Sequence, residues 1–125
     1  VITIKLPAGL ELPNANKKRH WRVTWRQQQE IKRRTCEVIQ LMRLRPMGPI
    51  DITVVVHPGP RTKRFDPANW APAAKPAIDA LSAMGVIKDD SSEYVPRVSY
   101  VAGDPVLGWR LELVLTPHPE PPATT

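Results

Sequence analysis

The run I-D-I-T-V-V-V-H, from Ile50 to His57, limits the possible folds more than any other stretch. Ile52, Val54 and Val56 fall on one side of an extended chain, and Thr53, Val55 and His57 on the other. Val55 makes the second side partly apolar as well, which predicts a strand in the middle of a sheet. A central strand needs a partner along each edge, so the rest of the chain must supply them.

Alternation and β-branching predict a strand over Val1–Leu6. Pro7 to Pro13 reads as a loop. Thr24 with Gln27 resembles a capping box, so a helix is expected over Trp25–Arg43. Ile31, Thr35, Val38, Ile39 and Met42 would line its inner face, and Glu30 and Arg34 would pair outside. A second helix is expected over Ala73–Met84, with Ala74, Ala77, Ile78 and Leu81 buried and Gly85 as its left-handed cap. Pro76 fits if the first turn starts near Pro72, because that turn has no amide acceptor to satisfy. Val95–Val101 and Trp109–Thr116 read as strands joined at Gly103-Asp104-Pro105 into an antiparallel hairpin.

The expected architecture is α/β of the α+β kind: a four-stranded mixed sheet with two packed helices. Length predicts one domain, over 1–116 of the 125 residues. The proline-rich 117–125 is expected to be a disordered tail. No apolar run approaches the ~20 residues of a membrane helix, and no secretory leader is visible. A cytoplasmic protein without membrane contact, in a bacterial host cell, is the expectation.

Net charge is +6, which favours a polyanionic partner. The basic residues also cluster. Lys17, Lys18, Arg19, Arg22 and Arg26 form one group, Lys32, Arg33 and Arg34 a second, and Arg61, Lys63 and Arg64 a third. The single cysteine, Cys36, excludes an intrachain disulfide and a cysteine-based zinc site. His57 and His20 lack partners at metal-ligand spacing. His20 with Trp21 offers rings that can stack on DNA, although Trp21 and Trp25 equally suit core or cap packing.

The third basic group runs directly into Asp66, Lys75 follows nine positions later, and Asp89-Asp90 lies beyond Gly85. Carboxylates that hold a divalent metal, a lysine on a phosphoryl oxygen and arginines on the backbone are the parts of phosphodiester hydrolysis. Each residue has a plainer alternative. Asp66 and Asp89-Asp90 suit turns and caps. Lys75 can pair with Asp79 four residues on, or face a phosphate with the free amides of its turn.

The stretch R-F-D-P-A-N-W…K-P-A-I-D-A-L-S-A-M-G-V-I-K-D-D, with N-A-N-K-K-R-H-W upstream, resembles the RusA family of Holliday junction resolvases. The likeness spans about Ile2 to Leu115. It implies a homodimeric, magnesium-dependent endonuclease, with manganese as a possible substitute and no small-molecule cofactor. Such enzymes nick two strands of four-way DNA junctions symmetrically. By the resemblance, Asp66, Lys75 and Asp90 are catalytic, and Asp66, Asp89 and Asp90 hold the metal. Asn16, Lys17, Lys18, Arg19, His20, Arg22, Arg61, Lys63, Arg64 and Asn69 are the residues expected to contact DNA.

Two departures stand out. Ala68 replaces the second aspartate of the family's D-x-D-N motif, and the interval from Asn69 to Lys75 is three residues longer than in the best-known members. Asp89 or Glu93 would then complete the metal site, or a water would. One alternative is a weakened relative that binds branched DNA without cutting it. Another is a basic RNA-binding protein, although the aromatic-rich strand motif of sheet-based RNA binders is absent.

Overall fold

The computed structural model describes residues 1–119. Strand β1 (Ile2–Lys5) is followed by helix α1 (Trp21–Met42), strand β2 (Ile50–His57), a 3-10 turn (Pro67–Trp70), helix α2 (Ala71–Ala83), strand β3 (Arg97–Ala102) and strand β4 (Arg110–Pro117). The sheet is four-stranded and mixed, in the order β1-β4-β2-β3. Both helices lie on one face, and α1 packs on α2. No helix among the described residues is long and apolar enough to cross a membrane.

The central position of β2 follows the expected alternation. Ile50, Ile52, Val54 and Val56 are all essentially inaccessible beneath the helices, while Asp51, Thr53 and Val55 are half-buried on the open face.

The expected hairpin does not form. β3 pairs parallel to β2, from Asp51↔Arg97 to Val56↔Ala102, and α2 provides the crossover that parallel pairing requires. β4 enters on the other side of β2, antiparallel to it, and also pairs with β1. The connection crosses the end of β2, where Gly103 N–H donates to the Val56 carbonyl at 2.9 Å and Val106 N–H to that of Pro58 at 2.8 Å. Burial explains the choice. Leu111, Leu113 and Leu115 of β4 are fully buried, and each contributes about 1.5–3 kcal/mol when removed from water. The edge position has much less cover, and β3 holds it with Val98 and Val101 exposed.

Helix α1 begins one turn earlier than the capping-box pattern predicts. His20 is its N-cap, and the ring Nδ1 accepts from Arg22 N–H at 3.2 Å. Thr24 therefore lies inside the helix, and the Gln27 amide donates to Glu11 at 2.7 Å. Ile31, Thr35 and Ile39 are buried as expected, Val38 is half-buried, and Met42 is exposed. Thr35 Oγ1 donates to the Ile31 carbonyl at 2.7 Å, so its buried hydroxyl is satisfied. Glu30 pairs with Arg33 rather than Arg34, and Glu37 forms ion pairs with both arginines.

Helix α2 starts at Ala71, so Pro76 lies in its interior rather than its first turn. Its ring leaves the Pro72 carbonyl without the amide four residues on. Gln28 of α1 replaces that donor, with its side-chain amide 3.0 Å from the Pro72 oxygen. The defect in one helix thus becomes a tie to the other. Gln28→Ala should cost about 1 kcal/mol, the net worth of such a bond. In a Pro76→Ala background the restored amide bonds that carbonyl itself, and the same substitution should cost almost nothing. Urea unfolding of the four proteins measures the coupling; equal costs in both backgrounds would place the effect of Gln28 elsewhere.

α2 ends as predicted. Gly85 takes φ +75°, its N–H donates to Ser82, and the Val86 N–H reaches back to Leu81. At the C-terminal end, β4 runs on through Pro117. The His118 ring lies 2.7 Å from Asp51. The ordered sheet therefore extends into the stretch expected to be tail, and residues 120–125 fall outside the described residues.

Candidate active site

The loop from Phe65 to Trp70 is held from both ends. Phe65 and Trp70 meet edge to face at 5.5 Å, and both pack on Trp109, with Trp70 stacked on it at 4.9 Å. Trp109 takes φ 62°, a costly conformation for a bulky residue. The stacking offsets that cost. Gly59 makes room, since a Cβ there would meet the Trp109 indole nitrogen at 2.9 Å. Within this clamp Asp66 is exposed and caps the 3-10 turn, accepting from Ala68 N–H at 3.0 Å. The Asn69 carbonyl accepts from Ala15 N–H at 2.7 Å. That bond ties the upstream basic segment to the loop.

Lys75 lies in the second turn of α2, one turn further in than expected. Its ammonium donates to Asp79 at 3.1 Å and to Asp90 at 2.5 Å. The first contact is the local pair. The second spans fifteen positions and requires the chain after Gly85 to turn back. Burial of Val86 and Ile87 anchors that return, and Lys88 to Asp90 then lead back toward the Lys75 ammonium. A cleft between α2 and β3 results, lined by Ala71, Lys75, Ile78, Asp90, Val98 and Tyr100 among others.

The Lys75 hydrogen bond, chiefly, and its charge hold the Asp90 carboxyl below the usual carboxylate range. Asp90, then Asp79, raise the Lys75 ammonium above the usual lysine value. A depressed carboxyl contributes above its ordinary range and loses that contribution as pH falls through the depressed value; a raised lysine contributes below its ordinary range and loses it as pH rises through the raised one. The pair is therefore fully charged throughout the neutral range. Both groups are well exposed, so solvent screens its worth to stability. Partial burial raises the Tyr100 phenol, which stays protonated beside the cleft.

Asp89 is spent otherwise. Its carboxylate accepts from Ser91 N–H at 2.8 Å, and Ser91, through its hydroxyl first and this backbone bond second, lowers its pKa. Glu93 is exposed. Asn16 is exposed, and among the described residues Lys17, Lys18, Arg19, His20, Arg22, Arg61, Lys63 and Arg64 form no ion pair. Arg33 and Arg34 do, so the second basic group is largely neutralised. Asp79, Tyr100 and the aromatic clamp complete the site. Asp79 was visible only as the local partner of Lys75, and nothing in the sequence marks Tyr100.

Among the described residues, no group of three or more histidine, cysteine or acidic side chains is gathered to hold a metal. Asp66, Asp89 and Asp90 thus do not assemble as one ligand set. Asp79 and Asp90 do converge on a single cation, the Lys75 ammonium. Magnesium takes hard oxygen ligands and keeps several waters when one or two carboxylates reach it, and here both carboxylates are bonded to the Lys75 ammonium.

No family model matches the chain, and no curated protein matches it.

Proposed function

We propose that this protein is a RusA-like, structure-specific DNA endonuclease that nicks four-way junctions as a homodimer. The observation that carries the reading is the meeting of Lys75 and Asp90, fifteen positions apart in sequence and hydrogen-bonded in the fold. They are the lysine and the later aspartate to which the resemblance gives catalytic roles.

Asp79 and Asp90 would hold magnesium, with Asp66 at the start of the turn whose last neighbour, Ala71, lines the same cleft. The bound ion supplies a more acidic water and neutralises charge on the reacting phosphate. The Lys75 ammonium has three donors, of which two are occupied, so the third can meet a phosphoryl oxygen. The unpaired cations of the first and third basic groups would hold backbone phosphates without reading sequence. Two equivalent sites related by a two-fold axis would make paired nicks.

A second reading has its own support. Asp66 and Asp89 each cap a backbone amide, and Ala68 offers no ligand. A protein so arranged binds branched DNA without cutting it. Labelled four-way junction, linear duplex and RNA hairpin, each incubated with and without magnesium, separate the two. Nicks confined to the junction and to magnesium support the endonuclease. Junction binding without nicks selects the second reading, and preference for the hairpin overturns both.

A further inference from the structure

Two indoles stand in water on the first turns of α1. Trp21 is 66% exposed and Trp25 56%. Neither packs against the core, whereas Trp70 and Trp109 do. With Arg22 and Arg26 they line an open, almost wholly apolar recess. The Trp21 ring is not loose. His20 stacks on it at 5.8 Å, and the Arg22 guanidinium lies 5.4 Å from its centroid. The first turn carries no acidic residue, and Arg19, Arg22 and Arg26 have no carboxylate partner among the described residues.

We infer that Trp21 and Trp25 form a stacking platform for unpaired bases of single-stranded DNA, with Arg22 and Arg26 on the flanking phosphates. Charge selects the occupant. A second copy of this chain, or an apolar peptide, would have to bury several uncompensated cations to cover the indoles. A nucleic acid strand offers phosphates and aromatic faces together. Geometry selects the single strand. Residues four apart on a helix are about 6 Å apart along its axis, roughly twice the rise between stacked bases. A duplex keeps its bases closed to such rings, whereas an opened branch point does not. The inference rests on the proposed function only in taking DNA as the polyanion; it needs no metal and no cleavage.

Fluorescein-labelled oligo(dT) and a labelled duplex of equal length, titrated with the full chain without magnesium, test it. Oligo(dT) should bind and quench tryptophan emission. Trp21→Ala and Trp25→Ala should each weaken oligo(dT) binding about tenfold, with duplex binding and the salt slope nearly unchanged. Trp21→Phe and Trp25→Phe should restore part of the loss, which a folding defect would not allow. Arg26→Ala should instead lower the slope of log affinity against log salt by about 0.7. Unchanged oligo(dT) affinity in the alanine variants, or equal losses on duplex, would overturn the platform. So would conversion of a wild-type dimer to monomer by either alanine variant, since the patch would then be a subunit interface. Junction nicking by the same samples is scored separately: nicking without oligo(dT) binding sinks only the platform, and oligo(dT) binding without nicking sinks only the nuclease.

Discussion

An Asp90→Asn variant should bind a four-way junction at least as tightly as the unaltered protein and cut it on the order of a thousandfold more slowly. The substitution keeps the shape of the side chain and an oxygen that can still accept from Lys75. It removes the negative charge. Binding improves because one carboxylate no longer repels phosphate. On the proposed mechanism cleavage would fail, because the neutral amide is a poor partner for a cation in the cleft and no longer fixes the Lys75 ammonium by charge. Asp79→Asn should do less, since the closer contact of Lys75 is with Asp90 at 2.5 Å. Single-turnover rates at saturating junction, with affinity measured apart, give the comparison. Full-rate cutting by the Asp90 variant would remove this residue from the chemistry.

The second large effect concerns the fold. Leu113→Ala should destabilise the protein by about 2–5 kcal/mol. Leu113 is fully buried and pairs with Ile4 on one side and Val54 on the other. No neighbouring side chain can collapse into the space without moving one of those strands. The melting temperature should fall by roughly 8–20 °C. Val98→Ala on β3 serves as the control, because Val98 is already 39% exposed; its cost should stay below about 1 kcal/mol. Similar losses for the two would contradict the central position of β4.

That position marks the limit of local pattern. β2 and the buried face of α2 were legible residue by residue, because periods of two and of 3.6 are written into the chain. Partner choice is not. Trp109–Thr116 alternates equally well as a hairpin arm or an inserted strand, and only the unfilled space between β1 and β2 decides. The start of α1 was missed because an imidazole nitrogen took the acceptor role usually given to a hydroxyl. Pro76 was correctly placed in a helix for the wrong reason: Gln28, 44 residues from Pro72, supplies what the first turn was expected to make unnecessary.

The site divides the same way. Spacing alone left Lys75 with Asp79 as its partner, and the structure retains that contact. The meeting with Asp90 depends on Val86 and Ile87 sinking into the core, a tertiary event that no window of sequence displays. Only the family resemblance pointed to it. Asp66 and Asp89 met the plainer expectation, since each caps an amide. The clamp of Phe65, Trp70 and Trp109 joins two segments, the loop and the start of β4, that are adjacent only after the sheet has formed.

The pairing of β1 with β4 has a consequence for synthesis. Ile2 lies opposite Leu115 and Lys5 opposite Glu112, and among the described residues β1 has no other strand partner. At about 5–20 residues per second, β1 therefore waits roughly 5–20 s on the ribosome before β4 exists. Meanwhile β2, α2 and β3 can assemble as a local unit. A long apolar strand left open for that time would invite pairing between nascent chains. β1 is only four residues long and ends in Lys5, and a short strand with a charged end is a poor template for a stranger.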